Sequence, residues 1–137
     1  MANITKANAP YLVDRRIEPK AGSWPAAEII PVGSPVYVHT DGKVYKSITT
    51  TTSPTLVTLA AYDGFSILGA AAVGDPVTIE GPGTRVHITE TTGIIIGNGY
   101  WVSATAAAIS DAIVLAGDRP FAVGVSATDI EICRNPG

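Results

Sequence analysis

A single cysteine, Cys133, in 137 residues excludes an intrachain disulfide and any cysteine-based zinc knuckle. Charge is also scarce. Charged residues make up 15% of the chain, against about 25% in an average protein, and the formal net charge is −3. That balance argues against a nucleic-acid binder, which needs a basic face. There are two histidines, His39 and His87, and neither has a metal-ligating neighbour at useful spacing. No Gly-x-Ser-x-Gly elbow, phosphate-binding loop or His-Glu-x-x-His helix occurs. The opening MANITKANAPYLVDRR holds no apolar signal-peptide core. No apolar run approaches the ~20 residues that span a bilayer. The expectation is a soluble protein made inside a cell, with no enzymatic activity, cofactor, metal or membrane partner.

What the chain does have is turn residues and β-formers. Gly (14) and Pro (10) leave few stretches long enough for a helix, and the runs between them are rich in Val, Ile, Thr and Tyr. Short β-branched runs between turn signals predict an all-β domain. Candidate strands are EIIPV from 28, PVYVH from 35, KVYKSI from 43, GFSILGA from 64 and PVTIE from 76. RVHITE from 85, YWVSA from 100, AIVLA from 112, FAVGVS from 121 and DIEIC from 129 follow. Three segments share an outline: VGSPVYV at 32–38, VGDPVTI at 73–79 and IGNGYWV at 96–102. Their glycines lead into strands rather than helices, so they read as strand punctuation and not as anion-binding loops. Asp41-Gly42 predicts a hairpin turn. With a bulge at Gly42, Val38 faces Val44 and Tyr37 faces Tyr45; with a plain two-residue turn, Val38 faces Tyr45. The stretch at 100–116 lacks Gly and Pro but carries β-formers, and it reads as two strands with a polar turn. Residues 47–64 read as a long, exposed, Thr-rich connection. Cys133, near a strand end, reads as a small buried hydrophobe.

The first 27 residues differ from the rest. Residues 1–20 carry four basic side chains against two acidic, net +2, whereas the remainder carries five against ten, net −5. Pro10, Pro19 and Pro25 favour an extended chain. Tyr, Trp and Arg are the residue types that anchor protein interfaces. The division is therefore an extended arm at 1–27 and a β domain at 28–137, with Lys6, Tyr11, Arg15, Arg16, Lys20 and Trp24 as the candidate partner-binding residues.

The segments IIPVGSPVYVHTDGKVYKS, GFSILGAAAVGDPVTIE, IGNGYWVSATAAAISDA and RPFAVGVSATDIEI together cover roughly residues 29–132. In that pattern the chain resembles the short decoration proteins of tailed-phage capsids, also called cement or head-stabilisation proteins. The resemblance implies a small β-barrel of the β-tulip type carrying an extended N-terminal arm. It implies a homotrimer on the outer capsid surface of the virion. There it would clamp neighbouring major capsid proteins and stabilise the expanded head, without touching nucleic acid. The first 27 residues match that family only in position and arm-like character. An alternative from the residues alone is a carbohydrate-binding β-sandwich of a fibre or adhesin, with Tyr37, Tyr45, Tyr100 and Trp101 stacking on sugars.

Overall fold

The computed structural model describes residues 3–6, 10–14, 23–52, 59–90 and 92–134. Among them the secondary structure is all β, with no helix. The strands are β1 (Tyr11–Asp14), β2 (Ser23–Pro25), β3 (Ser34–Val38), β4 (Val44–Lys46), β5 (Gly64–Ser66) and β6 (Pro76–Thr78). They continue with β7 (Arg85–His87), β8 (Gly99–Val102), β9 (Ile109–Ser110), β10 (Ala122–Gly124) and β11 (Asp129–Ile132). A six-stranded sheet runs in the order β1-β7-β11-β10-β8-β9, beside a three-stranded sheet β4-β3-β5 and a pair β2-β6. All ladders are antiparallel. These sheets do not close into a barrel among the described residues; what is seen is an all-β body of three sheets.

The repeated glycine segments behave as punctuation. Gly33, Gly74 and Gly97 have φ of 66°, 91° and 83°, the left-handed region that L side chains avoid, and each precedes β3, β6 or β8 within two residues. The hairpin takes the bulged register, with Tyr37 opposite Tyr45 and Val38 opposite Val44. Val44 is buried while Tyr37 and Tyr45 stay at the surface.

Two apolar clusters hold the body. One gathers Tyr62, Phe65, Val86, Tyr100, Phe121, Ile130 and Ile132 beneath the six-stranded sheet. The other gathers Ala26, Ile30, Val36, Val44, Ala70, Val77 and Ile79 between the smaller sheets. A buried ion pair fastens the segment after β11 to the first cluster. Arg134 Nη1 lies 3.3 Å from Asp118 Oδ1, its Nη2 donates to the Ala60 carbonyl at 2.9 Å, and its guanidinium lies over the Tyr62 ring.

Several expectations are corrected. Within the segment read as an extended arm apart from the β domain, the described residues pack on the body. Ile4 and Leu12 join the first cluster, Trp24 joins the second, and β1 and β2 pair with β7 and β6. The physical reason is plain: each carries apolar side chains that the body can cover. The Thr-rich connection is not an exposed loop along its described length. Ser47, Leu59, Ala60, Ala61 and Tyr62 are buried, because its ends supply core side chains; residues 53–58 lie outside the described set. EIIPV and AIVLA are not strands. The stretch from 100 does form two paired strands, β8 and β9, but the turn falls at 103–108, ahead of the Ser-Asp at 110–111. Cys133 is exposed, not buried.

Candidate interaction surface

The sequence nominated six residues, and the three that are described do not converge. Lys6 turns inward. Its ammonium donates to the carbonyls of Gly33 and Ala107, both at 3.1 Å, and burial lowers its pKa to about 8. It ties the N-terminal segment to two loops and is not displayed to a partner. Tyr11 is 55% exposed and stacks on the His87 ring at 4.6 Å. Trp24 packs on the second cluster and, with Val38, His39, Thr40 and Gly42, lines a groove of about 320 Å³. Arg15, Arg16 and Lys20 lie outside the described residues.

His87 is held from two sides. Its Nδ1 lies 2.9 Å from Asp129 and its Nε2 3.5 Å from Glu90. Both ring nitrogens thus face carboxylates, and the contact to Asp129 ties β7 to β11. Among the described residues no group of three or more His, Cys, Asp or Glu side chains is placed to hold a metal ion.

The aromatics named for a sugar surface split apart. Tyr100 is fully buried, and its hydroxyl accepts the Ile95 N–H at 3.0 Å. The Trp101 ring lies against Gly99, close enough that a Cβ there would sit 2.9 Å from it. Tyr37 and Tyr45 stack on each other at 5.5 Å, with His39 edge-on to both.

The surface that sequence reasoning missed is a ribbon. Residues 26–33 run antiparallel to residues 67–74. Backbone bonds link Gly74 N to Ala26 O at 2.8 Å, Ile30 and Ala70 reciprocally at 2.9 and 2.8 Å, and Gly33 N to Ile67 O at 2.9 Å. The register is constant, so Ile29 lies across from Ala71 and Val32 across from Leu68. Ile30 and Ala70 point into the second cluster. Along the ribbon Leu68 (77% exposed), Val73 (67%), Ile29 (60%) and Val32 (37%) stand in water, together with exposed Pro31, Ala71 and Ala72. Gly69, at φ 65°, lets the two segments approach; a Cβ there would meet the Ile30 carbonyl oxygen and lie 2.6 Å from that of Pro31.

The ribbon is almost without charge. Glu28 is its only ionisable residue, and its carboxylate accepts the Lys46 N–H at 2.9 Å and lies 3.5 Å from the Lys46 ammonium. Asp75, just beyond it, accepts the Ala72 N–H at 3.0 Å. A legible signal existed: IIPVG and ILGAAAVG are two charge-free apolar segments ending in glycine. Their pairing across roughly forty residues carried no local mark. No family model, curated protein or solved structure matches the chain.

Proposed function

We propose that this chain is a structural virion protein: a capsid decoration protein that binds the outer surface of a tailed-phage head as a trimer and clamps neighbouring major capsid proteins. The observation that carries the reading is the backbone-bonded ribbon, whose single carboxylate is paired with Lys46, with four large apolar side chains in water. Exposed apolar side chains gathered on one pair of bonded segments are of the kind that marks a protein interface. The sequence pattern over residues 29–132 supplies the setting. We read the fold as a small tulip-like barrel. In support, the N-terminal segment reaches both edges of the six-stranded sheet: Asn3 bridges Ser110 in the edge strand β9, and β1, paired with β7, forms the opposite edge. Arg15, Arg16 and Lys20 are the charges proposed to meet acidic groups of the capsid. Several modest contacts per trimer add multivalently.

The test is co-sedimentation of the purified protein with bare expanded shells across a salt series. Saturable binding is expected, with a salt-sensitive loss for Arg15→Ala combined with Arg16→Ala. Absence of binding at all salt concentrations, or a saccharide preference on a glycan array, would contradict the reading.

A further inference from the structure

We infer that the ribbon of residues 26–33 and 67–74 is the face by which copies of this chain join one another. The inference rests on the reading above for its setting, since it assigns one surface of that assembly to a partner. Three observations carry it.

The first is charge. Around a rotation axis every residue meets its own copies or their near neighbours, so any net charge close to the axis faces like charge. A chain of net −3 associates with itself best where it shows none. Other parts of the surface do show charge: Asp41 and Lys43 at the hairpin, Arg85 and Glu131 on the large sheet, and Glu90 beside His87 are exposed or partly exposed. The ribbon does not, and its single carboxylate, Glu28, is neutralised by Lys46. A face meant for an unlike protein gains from charges that steer the encounter and reject wrong partners, and the ribbon offers none.

The second is order. Backbone hydrogen bonds fix both segments in one register, and the inward side chains Ile30 and Ala70 are 2% and 4% exposed. The exposed side chains therefore project from a backbone that is already fixed, so little chain entropy opposes docking. The third is size. At 77%, 67%, 60% and 37% exposure, Leu68, Val73, Ile29 and Val32 together present on the order of 400 Å² of surface, within the roughly 300–600 Å² of the largest apolar patch on a typical monomer, which is often functional. That is about half of the ~800 Å² per partner in a stable interface. It suits an apolar centre with a polar rim around it.

The experiment is sedimentation equilibrium of the full chain from micromolar to millimolar concentration, for the native sequence, Leu68→Asp, Ile29→Asp and the hairpin control Thr40→Asp. Circular dichroism and thermal unfolding report whether each variant keeps the fold. The two aspartates sit on opposite segments of the ribbon, so a folding defect in one does not leave the idea without a test. The native chain should approach trimer mass. Leu68→Asp and Ile29→Asp should weaken self-association on the order of 100-fold or more, because each would desolvate an unpaired carboxylate. Thr40→Asp should leave it unchanged. A native chain that stays monomeric, or folded ribbon variants that assemble like the native chain, would overturn the inference. Binding of each protein to expanded shells separates the two claims. Trimers that Leu68→Asp disrupts but that never bind shells uphold the self-association face and refute the decoration reading. Monomers whose shell binding Leu68→Asp abolishes would show that the ribbon meets another protein.

Discussion

Arg134→Ala is expected to be among the most damaging single substitutions in the body. The guanidinium is enclosed: its side chain and that of Asp118 are 1% and 0% exposed. Burial pushes the Asp118 carboxyl up and the Arg134 guanidinium down from their usual ranges, the mark of two charges taken out of water. The substitution removes the contact to Asp118, the 2.9 Å bond to the Ala60 carbonyl and the cover on the Tyr62 ring. It leaves Asp118 buried, with the Ala60 N–H at 3.2 Å still donating to it. Breaking a buried pair from one side costs about 3–5 kcal/mol, a large share of the roughly 5–15 kcal/mol that holds a domain. Replacing both, as Asp118→Leu with Arg134→Met, removes both charges. What is then lost is the pairing of the Ala60 N–H and C=O and of the Arg119 N–H, about 1 kcal/mol each. The double substitution should therefore cost about 3 kcal/mol, no more than Arg134→Ala alone. Urea unfolding, followed by the fluorescence of the only two tryptophans, Trp24 and Trp101, measures all three at one fixed protein concentration. A cost below about 1 kcal/mol for Arg134→Ala would refute the reasoning. So would a double variant that costs more than that single one.

Lys6 has a folded pKa lowered to about 8 from 10.5, so between those values the unfolded chain binds more protons and stability should rise with pH. The burial penalty is fully present below pH 8, and its relief by pH 10.5 amounts to at most about 3 kcal/mol. Lys6→Met should flatten that rise in urea titrations taken across the window, and an unchanged slope would contradict the buried position. Gly69→Ala should destabilise by more than about 2 kcal/mol, because it adds a backbone clash to a left-handed φ. Gly42→Ala, at φ 76° with nothing within 4 Å, should cost only the conformational term of about 1–2 kcal/mol; equal thermal shifts would be the adverse result. Cys133 is exposed, but desolvation and the nearby Glu131 raise its pKa, so the native thiol should react with a disulfide reagent, more slowly than free cysteine. Protection until unfolding would contradict the exposure.

Eight of the ten strand candidates were legible because each shows alternation or β-branched residues between turn signals. β3 and β4 carried the further mark of Asp41-Gly42, but the sequence left two registers open, and only the structure selects the bulged one. β1 and β2 were not legible. They are four and three residues long, sit among prolines and charges, and gain their pairing from β7 and β6 far along the chain. EIIPV misled for the opposite reason. It is apolar enough for a strand, but Pro31 lacks a donor, and only Ile30 makes the paired bridge to Ala70. The candidate site shows the same limit. Lys6, Tyr11 and Trp24 looked like partner anchors by residue type, yet Lys6 and Trp24 are largely used within the chain and Tyr11 lies on His87. Leu68 and Ile29 drew no notice, since only the long-range register pairs the two segments that carry them.

The central claim is tested most directly by electron microscopy of purified phage particles with and without this protein. The account expects added density on the outer capsid at three-fold and quasi-three-fold positions, three copies at each, with the ribbons of residues 26–33 and 67–74 meeting at the axis. Identical maps with and without the protein, or density confined to fibres or to the capsid interior, would contradict it.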